Sequence, residues 1–277
     1  MKKTLLLALV AAGLLVGEKA MAANKLVQIK GSDTLLNASQ YIAEEYMAKN
    51  KDARIAVTGG GSGVGISALQ NGTTDIAMAS RNIKASEVEA VEKKGIKVDE
   101  IVLGFDGITL VTNKSNSVKN LTSDQLGKIY RGEIKNWKEV GGEDAEIVLL
   151  SRDSSSGTHE FFKEHIVRKG NSKGPEEYAT KTLYMPSNEA IKQEVASNKN
   201  AIGYLGMGYV DNTTNALNID GVPANAENVL SKKYPIAREI FWYTAKDRSG
   251  DIKGIVDFAL SPEGQNIVKE EGFVPAK

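Results

Sequence analysis

The chain has 277 residues, 41% hydrophobic and 25% charged, with 35 Lys+Arg against 35 Asp+Glu and no cysteine. That length suits one large or two medium domains, and the absence of cysteine excludes a disulfide framework. With no basic surplus to neutralise a phosphate backbone, nucleic-acid binding is excluded as well.

The N-terminus reads as a cleaved export signal. Lys2 and Lys3 form a positive start, Thr4 to Val16 is an apolar run too short for a stable membrane span, and Ala20-Met21-Ala22 supplies the small-x-small cleavage pattern. Residues 1–22 are therefore predicted to be removed. Lys2, Lys3, Lys19 and Glu18 go with them, leaving 32 basic against 34 acidic residues, a net charge of −2. Without cysteine there is no lipid-anchor site, so a periplasmic, untethered protein is expected.

Strand-like and helix-like segments then alternate. Leu26–Ile29 is a predicted strand, followed by Gly31-Ser32-Asp33-Thr34 and a helix to Lys49. Ile55–Val57 leads through a glycine-rich turn into a helix from about Val64 to Gln70. Ile76–Met78 is a third strand, Ser86 to Lys94 is helical, and Ile101–Leu103 and Ile108–Thr112 are β-rich. Leu121-Thr122-Ser123-Asp124 caps a helix through Tyr130, Ile147–Leu150 is an apolar strand, and a helix spans roughly Thr158 to Arg168. The polar segment from Lys169 to Glu177 reads as a surface loop. Asn188 to Ser197 is helical, Ala201–Leu205 and Ile240–Tyr243 are strands, and Ser261-Pro262 opens the last helix. This rhythm predicts an α/β fold with a largely parallel sheet.

One construction occurs three times: a short apolar strand, a turn rich in Gly, Ser and Thr, then a helix. The turns are Gly31-Ser32-Asp33-Thr34, Gly59-Gly60-Gly61-Ser62-Gly63 and Ser154-Ser155-Ser156-Gly157-Thr158. Each places unpaired backbone N–H groups at a helix start, where the helix dipole adds partial positive charge, a setting that suits a small oxyanion. The hydroxyls of Thr34, Ser62, Ser156 and Thr158 add short donors. Arg81, in a fourth loop Ala79-Ser80-Arg81 that follows the strand Ile76–Met78, and Arg152 add guanidinium forks that match an oxyanion edge. The glycine spacing fits neither the dinucleotide fingerprint nor the P-loop, and no cofactor is expected.

These stretches, together with Thr73-Thr74-Asp75-Ile76-Ala77-Met78, Ile129-Tyr130-Arg131-Gly132-Glu133, Ala201-Ile202-Gly203-Tyr204 and Leu260-Ser261-Pro262-Glu263-Gly264, resemble the phosphate-binding proteins of ABC phosphate-uptake systems. The sharpest unit is Arg152-x-x-x-Ser156-Gly157-Thr158, and the likeness covers the whole mature chain. The resemblance implies a type II periplasmic-binding fold: two α/β lobes, each a mixed sheet flanked by helices, joined by two crossing strands near Gly104–Thr109 and Tyr234–Arg238. Residues 23–108 with 237–277 would form one lobe and 109–236 the other. It implies a ligand set of Thr34, Leu35 through its backbone N–H, Ser62, Ser80, Arg81, Arg152, Ser156, Gly157 and Thr158. It also implies inorganic phosphate as ligand, an ABC permease as partner, no metal and a monomer. Arg81 is a departure, because members of that family carry an aspartate there which accepts the proton of hydrogen phosphate; its loss leaves discrimination against sulfate open.

The residues alone admit other readings. A binding protein for sulfate or molybdate would share the fold. A secreted phosphatase-like hydrolase could in principle use Ser156 with His159, but no Gly-x-Ser-x-Gly elbow surrounds Ser156, and His159 and His165 lack metal-ligand spacing. The expectation is a binding protein and not an enzyme.

Overall fold

The computed structural model describes residues 25–277, so the signal predicted over 1–22 lies outside the described residues. From the N-terminus come β1 (Val27–Gly31), a 3₁₀ turn at Asp33–Leu35, α1 (Leu36–Lys49), β2 (Ile55–Thr58), α2 (Ser62–Gln70), β3 (Ile76–Ala79), α3 (Ala85–Glu92) and β4 (Val98–Asn113). A second set follows: β5 (Asn120–Leu121), α4 (Ser123–Tyr130), β6 (Val148–Arg152), α5 (Gly157–Phe162) with a π turn at Lys163–Val167, β7 (Leu183–Met185), α6 (Asn188–Ser197), β8 (Ala201–Gly206), β9 (Thr214–Ile219) and α7 (Ala226–Leu230). The chain then returns through β10 (Ala237–Ala245), α8 (Gly250–Ala259), α9 (Pro262–Glu270) and β11 (Val274–Pro275).

The main strand order is β2-β1-β3-β10-β4-β8-β6-β7. β1 runs parallel to β2 and β3, and β6 runs parallel to β7 and β8. The centre differs from the parallel sheet predicted, because β10 is antiparallel to both β3 and β4, and β4 is antiparallel to β8. Two chain reversals through the middle enforce this mixture: the chain leaves the first set on β4 and comes back on β10.

β4 holds the molecule together. The two β-rich runs predicted at 101–103 and 108–112 are one strand of 16 residues. Its first part pairs with β10 from Val98↔Ala245 to Gly107↔Ala237, and its last part changes partners to β8 and β9. The change of partner divides the cores. Ile29, Leu35, Ile42, Met78, Trp242, Ile255 and Val268 pack between the first sheet and α1, α8 and α9, while Ile66, Ala77, Val91 and Phe241 fill its other face. Leu110, Leu126, Tyr130, Trp137, Phe162 and Tyr204 form the second lobe's core, with Val111, Leu150, Ile191 and Leu205 on its opposite side. The fold is thus two α/β lobes on two crossing strands. Among the described residues, no helix is long and apolar enough to cross a membrane.

Candidate functional site

The three glycine- and serine-rich loops all meet where the lobes touch. In the first, Gly31 has φ +144, and a Cβ there would collide with the Met78 carbonyl, so only glycine lets the strand turn this close to β3. Ser32 N–H donates to Met78 O at 2.9 Å and the Ser32 hydroxyl donates to Ser80 Oγ at 2.9 Å. Leu35 anchors the turn by full burial in the first lobe's core. Its N–H closes the turn onto Ser32 O at 3.1 Å. In the second loop Gly61, at φ +97, has no room for a Cβ against Ser155 of the opposite lobe. Gly63 N–H donates to Ser155 O at 3.0 Å, and the Ser155 hydroxyl donates back to Gly60 O at 3.0 Å. The lobes are therefore closed on one another at these loops.

The hydroxyls gather inside that contact. Thr34 Oγ1 of the first lobe lies 2.9 Å from Thr158 Oγ1 of the second. Ser62 Oγ accepts from Ser80 N–H at 3.0 Å and lies 3.4 Å from Ser80 Oγ. Gly157 packs so closely on Ser62 and Ser80 that a methyl group would not fit. Ser32, Thr34, Ser62, Ser80, Ser156 and Thr158 are all buried. Ser156 caps α5, its Oγ accepting from His159 N–H at 3.4 Å, which leaves the first-turn N–H groups of Gly157 and Thr158 with no intrahelical acceptor.

Arg152, at the end of β6, is 1% exposed. Its Nη2 donates to Pro186 O at 3.0 Å, and its Nη1 lies 3.4 Å from Asp33 Oδ2. Nε and Nη1 have no hydrogen-bond acceptor among the described residues. A buried guanidinium with unmatched N–H groups is costly unless an anion completes it. Asp33 Oδ2 also accepts from the backbone N–H and side-chain amide of Asn188, both at 2.9 Å, so this carboxylate bridges the lobes.

Arg81 is placed differently from the rest of the predicted set. Its Nη1 and Nη2 each donate to a Glu87 carboxylate oxygen at 2.8 Å, and its Nε pairs with Glu160 of the opposite lobe. Burial alone would lower the Arg81 pKa, but hydrogen bonding to Glu87 and the charges of Glu160 and Glu87 outweigh it and hold the guanidinium charged. Burial likewise pushes the Glu87 carboxyl up, while the Arg81 and Lys84 hydrogen bonds win and hold it below the usual range. The fork expected to meet an anion is occupied by two carboxylates, because α3 begins just after this loop and presents Glu87 in its first turn.

The sequence reading missed a buried ion pair at the same place. Asp106 on β4 and Arg238 on β10 are 0% and 5% exposed. Asp106 Oδ2 accepts from Nε at 2.9 Å and Nη2 at 2.6 Å, while Oδ1 accepts from Met207 N–H at 2.9 Å. The available signal was the single charge inside the apolar run Phe105-Asp106-Gly107-Ile108 and an arginine beside Glu239 in Ala237-Arg238-Glu239-Ile240, since buried charges require partners.

His159 does not pair with the Ser156 hydroxyl through its ring. Its Nδ1 lies 2.9 Å from Arg152 O and 3.1 Å from Ser151 Oγ, and since a carbonyl only accepts, Nδ1 carries the proton. Among the described residues, no group of three or more His, Cys, Asp or Glu could hold a metal ion.

Two lobes on crossing strands, closed over a buried cluster of hydroxyls and a guanidinium, define a two-lobed binding protein. Residues 17–263 match the PBP superfamily domain. The chain is 32% identical over 284 residues to the phosphate-binding protein PstS of Borreliella burgdorferi, covering 100% of both chains. It is 35% identical over 252 residues to PstS of Bacillus subtilis, covering 89% of this chain and 79% of that protein. Among solved structures it resembles a phosphate ABC transporter substrate-binding protein from Clostridium perfringens with bound phosphate, at 37% identity and TM-score 0.84, covering 91% of this chain and 100% of that one. The chain belongs to the PBP superfamily and, within it, to the PstS family of phosphate-binding proteins.

Proposed function

We propose that this protein captures inorganic phosphate between its lobes and hands it to an ABC permease. The observation that carries the reading is the 2.9 Å approach of Thr34 and Thr158 from opposite lobes, beside an Arg152 whose Nε and Nη1 lack acceptors. The names of its relatives in Borreliella burgdorferi and Bacillus subtilis, and the phosphate bound to the Clostridium perfringens structure, support the same ligand.

Residues 23–108 with 237–277 and residues 109–236 act as the two closing units, hinged on β4 and the start of β10. Phosphate meets one lobe first, and the other then shuts over it. Thr34, Ser62, Ser80, Ser156 and Thr158, with the N–H groups of Leu35, Gly157 and Thr158, supply donors. Arg152 supplies charge. Closure strips water from the anion, which strengthens every one of these contacts. Arg81 works through Glu87 and Glu160 at the rim and not as a ligand. The protein acts in the periplasm as a monomer, exported by the segment 1–22 and without lipid, and does no chemistry on its ligand.

Isothermal titration calorimetry of the mature protein tests this. Saturable one-to-one heat with phosphate, and weaker or no heat with sulfate or molybdate, is expected. Sulfate binding without phosphate heat would end the reading, and turnover of p-nitrophenyl phosphate would replace it with a hydrolase.

A further inference from the structure

The buried pair Asp106–Arg238 touches the hydroxyl cluster from the hinge side. We propose that Arg238 is a positioning residue that fixes the site's threonine hydroxyls as donors, an inference that rests on the phosphate reading.

A hydroxyl has one proton and two acceptor positions, so a neighbour that can only donate dictates where the proton goes. Arg238 Nη2 donates to Thr158 Oγ1 at 2.9 Å and faces Thr34 Oγ1 at 3.5 Å. A guanidinium has no acceptor and keeps its charge at any working pH. The protons of both threonine hydroxyls are therefore turned away from Arg238. One of them lies on the Thr34–Thr158 hydrogen bond, and an anion oxygen set between the two threonines takes both.

The rest of the guanidinium is held so that it cannot turn. Asp106 Oδ2 accepts from Nε and Nη2, and Ser80 O accepts from Nη1 at 2.7 Å. Asp106 is itself fixed by Met207 N–H. Arg238 thus contacts the first lobe at Thr34 and Ser80, the second lobe at Thr158, and the crossing strand at Asp106. The serines receive the same polarity by other means. Ser62 Oγ already accepts from Ser80 N–H, and Ser80 Oγ already accepts from the Ser32 hydroxyl. Thr158, Ser62 and Ser80 each have an acceptor side occupied, with Thr34 biased the same way, so the protons now shared in the Thr34–Thr158 and Ser62–Ser80 contacts turn to an anion oxygen that enters between them. Glutamine at 238 would reverse this, because its amide oxygen accepts and lets a threonine hydroxyl turn back.

The test compares the wild-type protein with Asp106→Asn/Arg238→Gln, which removes both charges together and leaves no buried ion unpaired, by thermal melting and phosphate calorimetry. Melting near the wild-type temperature with affinity lowered roughly tenfold or more, the loss of one charge-assisted hydrogen bond, is expected. A well-folded double variant that binds phosphate within about threefold of wild type would overturn the role. Arg238→Lys, which keeps a pure donor beside Asp106, decides the matter if the double variant does not fold: affinity within about fivefold supports the role, and a larger loss overturns it. Absence of phosphate heat in the wild type would instead remove the underlying reading.

Discussion

Thr34 Oγ1 and Thr158 Oγ1 are 2.9 Å apart although 124 residues separate them along the chain. Each follows a strand of a different lobe, and β4 and β10 bring those strand ends together. A contact between two small hydroxyls across an interlobe boundary exists only while the lobes are shut, so it reports closure as well as ligand chemistry.

Arg152 is a fully buried charge whose Nε and Nη1 lack hydrogen-bond acceptors among the described residues. Arg152→Ala is expected to weaken phosphate binding by about 3 kcal/mol or more, roughly a hundredfold, since charge-assisted bonds to a buried anion are lost. Calorimetry checks it. Thermal stability should fall less than affinity, because Asp33 keeps two hydrogen bonds from Asn188.

Gly157 lies against Ser62 and Ser80 with no space for a methyl group. Gly157→Ala should leave both lobes folded and prevent their full approach, with an overpacking cost of about 1–3 kcal/mol placed on the closed state alone. Small-angle scattering with saturating phosphate should show wild type contracting and the variant remaining more open.

Much of this was legible from residue order. The glycine and serine loops stood out because a strand that turns directly into a helix needs small residues and caps, and α6 matched its predicted span Asn188–Ser197 because Ser187 caps Ala190 N–H. Ser261 and Pro262 marked the start of α9 for the same local reason. What escaped depends on distant partners. Asp106 and Arg238 are 132 residues apart, and only the crossing of β4 with β10 joins them. Arg81 was placed beside the anion by its position after β3, but its direction is set by Glu87 and by Glu160 from another lobe. β9 went unassigned because its polar residues leave no clear alternation, whereas α8 carries Ile252, Ile255, Val256 and Ala259 at helical spacing and was overlooked.

Arg81, held by Glu87 and Glu160, is expected to govern closure and not anion choice. Glu160→Gln should lower phosphate affinity by a few-fold, since partly exposed ion pairs contribute about 0–1 kcal/mol. The ratio of phosphate to sulfate affinity should stay unchanged in both Glu160→Gln and Arg81→Gln. Competition titrations read that ratio, and a shift in it would place Arg81 at the anion.

His159 gives the protein an acid-sensitive point. Burial lowers its pKa below 6.5, against the smaller opposing effect of its hydrogen bond to Arg152 O. The unfolded chain takes up this proton more readily than the folded one, so stability rises with pH through the window and is lost as pH falls below about 6.5. Melting curves of wild type and His159→Gln across pH 5 to 7 should diverge, with the variant flatter because glutamine donates to Arg152 O without titrating.

The most direct measurement is a crystal structure of the mature protein grown with phosphate. A tetrahedral anion bonded to Thr34, Ser62, Thr158 and Arg152 at once, between closed lobes, is the predicted result. Phosphate bound elsewhere, or those four side chains facing apart with the lobes shut, would contradict it.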